Sequence, residues 1–97
     1  MDKLKKFDLM AKIVRELEDV RNSQQAVLEK IGKIEVDNIE LGDKIIESKM
    51  PDIYQRTADN ADAIREILES FQEKTDEYSD KNNIDKLREQ DAINNIK

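Results

Sequence analysis

Residues Met10, Ile13, Leu17, Val20, Gln24, Val27, Ile31, Ile34, Asn38, Leu41, Ile45 and Ser48 follow one another in steps of three and four. That spacing lines up one side of an α-helix as the a and d positions of a heptad repeat. Carried past Pro51, the same register lands on Asp52, Gln55, Asp59, Asp62, Glu66, Glu69, Glu73, Asp76 and Asp80, and no packed seam can be made of carboxylates. The apolar positions downstream run instead through Tyr54, Thr57, Ala61, Ile64, Leu68, Phe71, Thr75 and Tyr78, two residues out of phase. A continuous coiled coil absorbs shifts of three or four residues, not two, so the chain must turn. Proline disrupts a helix interior and pushes the residue before it out of helical geometry, which puts the expected turn at 48–52.

The resulting fold is all-α. It is an antiparallel, coiled-coil-like hairpin with a long helix at about 3–48, a second helix at about 52–79 and a short third helix at about 83–96, the whole fitting a larger helical bundle. A hairpin folded at 50–52 pairs positions whose numbers sum to about 102. Leu41 would then face Ala61, Asn38 would face Ile64 and Gln24 would face Tyr78. With 97 residues there is room for a single domain, 1–97.

Composition agrees with long helices. Charged residues make up 41% of the chain and apolar ones 37%, but lysine and glutamate are interleaved with a regular apolar repeat, which separates this sequence from a disordered one. Residues 1–49 carry ten basic and eleven acidic side chains and residues 50–97 seven and twelve, so the acidity belongs to the second half. Nucleic-acid binding is not expected, because the only basic cluster is Lys3, Lys5 and Lys6. That segment, with Leu4 and Phe7, offers at most weak contact with an anionic membrane. Cysteine and histidine are absent, which removes thiol nucleophiles, serine–histidine triads and the usual transition-metal ligands. Neither a catalytic site nor a bound cofactor or metal is expected, and Asp80-Lys81-Asn82 lacks the glycine and glutamate of a calcium loop. With no cleaved signal peptide or membrane-spanning stretch legible, a cytoplasmic protein is the expectation, with leaderless export left open.

Three sets of residues are candidates for function. The apolar sector of the first helix is wider than one neighbour needs. Val14, Leu28, Gly32, Val36, Ile39 and Ile46 form the flank expected to meet another copy or a partner, the glycine permitting close approach. Gln24 and Asn38 are polar a positions that could fix register or partner choice. The carboxylates Asp59, Asp62, Glu66, Glu69, Glu73, Asp76 and Asp80 stripe the outer face of the second helix.

The leading expectation is a non-enzymatic protein-interaction module, an adaptor, scaffold or assembly subunit. An acidic inhibitor or mimic acting through the carboxylate stripe is the alternative that electrostatics suggests. A further alternative comes from likeness. The total length, the central turn and the C-terminal apolar-x-x-x-acid element Leu87-Arg88-Glu89-Gln90-Asp91 resemble the small WXG helical hairpins and related secretion partners of bacterial type VII systems. The turn Lys49-Met50-Pro51-Asp52 lacks their Trp-x-Gly. The resemblance implies an exported helical hairpin.

Overall fold

The computed structural model describes residues 1–95; the expected end of the third helix, at Ile96, lies outside them. Helix α1 spans Lys3–Leu41, α2 spans Lys44–Lys81 and α3 spans Ile84–Asn95. The two long helices pack against each other as an antiparallel hairpin, and α3 folds back to touch α1. The molecule is a rod of 70 × 24 × 17 Å.

The hairpin is all-α as expected, but it turns earlier. Only Gly42 and Asp43 separate α1 from α2, and Pro51 lies inside α2. Gly42 takes the left-handed conformation, φ 71° and ψ 30°, and its N–H donates to the Asn38 carbonyl at 2.7 Å. A side chain is strained at such an angle, whereas glycine ends a helix this way at little cost. Asp43 then opens α2, its carboxylate accepting from the N–H groups of Ile45 and Ile46 at 3.0 Å each. The helix stop and the helix start stand side by side, so the chain reverses in two residues. Pro51 offers no N–H to the Glu47 carbonyl, a loss of about 3 kcal/mol relative to alanine inside a helix. Side chains on either side of it hold the helix together: Ile46 and Met50 are half-buried in phase with Thr57, Ala61, Ile64 and Leu68. The second seam therefore begins upstream of the proline, and Ile45 and Ser48, expected on the first seam, are exposed.

A turn at Gly42–Asp43 pairs positions whose numbers sum to about 85 rather than 102. The Lys6 ammonium, 5.0 Å from the centre of the Tyr78 ring, fits that register. It sets Ile31 opposite Tyr54, Leu28 opposite Thr57, Leu17 opposite Leu68, Val14 opposite Phe71 and Phe7 opposite Tyr78. Among these Val14, Ile31 and Leu68 are buried. The side of α1 that packs is thus built from a and e positions, not a and d.

At the far end, Asn82 and Asn83 break α2 from α3. Asn83 has a positive φ of 50°, and the Asn82 side chain donates to the Tyr78 carbonyl at 3.0 Å. This bend seats Ile84, the most buried large side chain among the described residues, at 1% exposure. Arg88 Nη2 reaches Asp8 Oδ1 at 2.6 Å and ties α3 to the beginning of α1.

Candidate protein-interaction face

The rotation of α1 exchanges the roles of its two apolar flanks. Val14 is buried and Leu28, Gly32 and Ile46 are half-buried, so four of the six residues expected to await a partner are covered to that extent within the chain. Val36 and Ile39 remain open, 65% and 83% exposed. Nothing lies within 4 Å of a Cβ placed on Gly32, so no other helix of this chain approaches it closely.

Of the d positions expected in the seam, Ile13 is half-buried, but those from Val20 to Leu41 are left out. Val20, Val27 and Ile34 are 42%, 46% and 40% exposed, and Leu41 is 75% exposed. On α2, Ile53 and Ile67 are 42% and 52% exposed. In a right-handed helix each residue turns the wheel by about 100°, which places the d column of α1 roughly 90° to one side of its packed centre. Because α2 runs the opposite way, the column Ile53, Asn60, Ile67 falls on the same side of the hairpin. Val20 stands beside Ile67, Val27 beside Asn60 and Ile34 beside Ile53. The result is one apolar strip shared by both helices, with a single amide in the middle. Helix α3 lies against the other side of α1, near Leu4 and Asp8, and leaves this strip open.

Of the two polar seam residues, Asn38 has a defined task. It is buried, and its amide forms a reciprocal pair with the turn: Nδ2 donates to the Asp43 carbonyl at 3.0 Å, and Oδ1 accepts from the Asp43 N–H at 2.9 Å. Asn38 clamps the reversal of the chain; it does not face Ile64. Gln24 falls opposite Ala61 in place of Tyr78, and its buried Oε1 has no hydrogen-bond partner among the described residues.

The carboxylates Asp59, Asp62, Glu66, Glu69, Glu73, Asp76 and Asp80 are all exposed on the outer side of α2. Several are engaged by their own helix. Gln55 donates to Asp59 at 2.9 Å, Gln72 donates to Asp76 at 3.0 Å, and Arg65 lies 3.6 Å from Asp62. Among the described residues no group of three or more acidic, histidine or cysteine side chains is arranged to hold a metal ion, and no helix is long and apolar enough to cross a membrane.

No known protein family, curated protein or solved structure matches this chain. The residues of the strip were missed in sequence because a d column with isoleucine and valine reads as interior. The overlooked signal was Gly42-Asp43 ahead of Ile45 and Ile46, the combination of a helix stop and a helix cap.

Proposed function

We propose that this chain is a non-enzymatic interaction module that binds protein through the apolar strip along one side of its hairpin. The observation that carries this reading is the exposure of Val20, Val27, Ile34, Ile53 and Ile67 in adjacent columns of α1 and α2. Scattered apolar side chains are normal on a surface, but a contiguous rimmed strip marks a place where another molecule binds. Its edges also suit a helical partner, since a hairpin offers two parallel ridges between which a third or fourth helix can lie.

Salt separates this reading from binding through the acidic stripe. At about 1 M salt the screening length falls to about 3 Å, so complexes held by exposed carboxylates dissociate while those held by buried apolar area persist. The expected outcome is a complex, with itself or another protein, that survives about 1 M salt and is lost on Ile34→Glu with helicity unchanged. Complexes that dissolve in salt and ignore Ile34→Glu would overturn the proposal.

A further inference from the structure

The area, charge and shape of the strip identify its occupant: we infer that a second copy of this chain covers it, the two hairpins packing face to face and running end over end as a four-helix dimer. This inference rests on the interaction-module reading and names its partner.

Area is the first ground. A folded monomer of 11.3 kDa is expected to expose about 5,700 Å², whereas this chain exposes 7639 Å². Much of a two-helix layer faces water on both sides, and only Val14, Ile31, Leu68 and Ile84 form the buried apolar core among the described residues. The strip from Val20 to Leu41 is about 32 Å long at 1.5 Å per residue and about 20 Å wide across two helices. That footprint approaches the roughly 800 Å² that each partner buries in a stable standard interface. One further hairpin has the right dimensions to cover it and turn a two-helix layer into a bundle with an interior.

Charge decides how far the contact extends and in which direction. Following the same two columns toward the open end of the hairpin leads to Lys6 on α1 and to Lys74 and Lys81 on α2. Two copies lying side by side in the same direction would bring six ammonium groups together. Reversing one copy overlaps only the turn-proximal halves and sends the two sets of lysines to opposite ends. The rim of the strip carries both signs, Lys30 and Asp37 on α1 and Lys49 and Arg56 on α2, so no single-signed field opposes the contact.

Shape agrees with the reversed arrangement. With the centres of the two α1 columns aligned, Val20 lies opposite Leu41 of the second copy and Val27 opposite Ile34, smaller side chains against larger ones, as interdigitation requires. On α2, Asn60 meets Ile53 of the second copy. A lone amide among aliphatic layers weakens an interface while limiting the registers available to it.

The test is the mass of the purified full chain by sedimentation equilibrium, with helicity followed by circular dichroism. Wild type is expected at twice the chain mass at about 100 μM. Ile34→Glu and Val27→Glu, both at exposed sites of the hairpin, are expected to keep its helicity and to weaken association by at least about 100-fold. Lys74→Glu, in the same column but beyond the overlap, should leave the dimer intact. A wild-type chain that sediments at single mass, or a dimer indifferent to both glutamates, overturns the second copy as occupant. If wild type is single but forms a salt-resistant complex with another protein that Ile34→Glu abolishes, the second copy falls and the interaction-module reading stands. If neither kind of complex depends on Ile34, both fall.

Discussion

Three residues near or within the first helix have opposite prospects under substitution. Gly32 has helical neighbours and open space around its missing side chain, so Gly32→Ala is expected to stabilise the fold by about 0.5–1 kcal/mol, a rise of several degrees in the thermal midpoint. Gly42 sits at φ +71°, and the same change there is expected to destabilise by about 1–2 kcal/mol. Thermal unfolding of the two variants side by side checks the sign as well as the size. Asn38→Ala removes both part-buried hydrogen bonds to Asp43, for an expected loss of about 1–3 kcal/mol. Sequence made Asn38 conspicuous as a polar residue in an apolar seam, but its partner is the backbone five residues on. A side chain that bonds locally and one that bonds across an interface look alike in a heptad.

At the level of elements, the sequence made the helical hairpin legible and the composition of the second seam correct from Thr57 to Tyr78, because helical periodicity survives any choice of turn. The turn itself was misplaced. Pro51 is the stronger local signal, yet Ile46 and Met50 pack in phase with the residues beyond it, and tertiary burial outweighs the helix-breaking tendency of one proline. The same competition predicts that Pro51→Ala lengthens the uninterrupted hydrogen-bonded run of α2 and raises stability, by up to about 3 kcal/mol. Denaturant unfolding would show the midpoint rising with little change in slope. Were Pro51 the turn, alanine there would loosen the reversal and lower the midpoint instead. Helix α3 follows a different logic: its periodicity is weak, and it is anchored by the buried Ile84 at its start and by the Arg88–Asp8 pair to α1.

For the molecule as a whole, moving the turn from 48–52 to Gly42–Asp43 decides which apolar surface is left over. The earlier turn rotates the packed side of α1 so that Val14 and Leu28 are covered and Val20, Val27 and Ile34 are not. That a surplus flank exists was readable from the width of the apolar sector. Which flank it is was not, since so wide a sector packs equally well from either edge until the partner helix is placed. The central claim is therefore the register of the hairpin, and the absence of cysteine makes it directly measurable. Nitroxide labels on Val20→Cys and Ile67→Cys, diluted with unlabelled chain so that only intramolecular pairs are read, should show strong dipolar broadening. Labels on Val20→Cys and Asn82→Cys, neighbours only if the chain turned at Pro51, should show none. Broadening in the second pair and not the first would contradict the fold, the strip and the assembly inferred from it together.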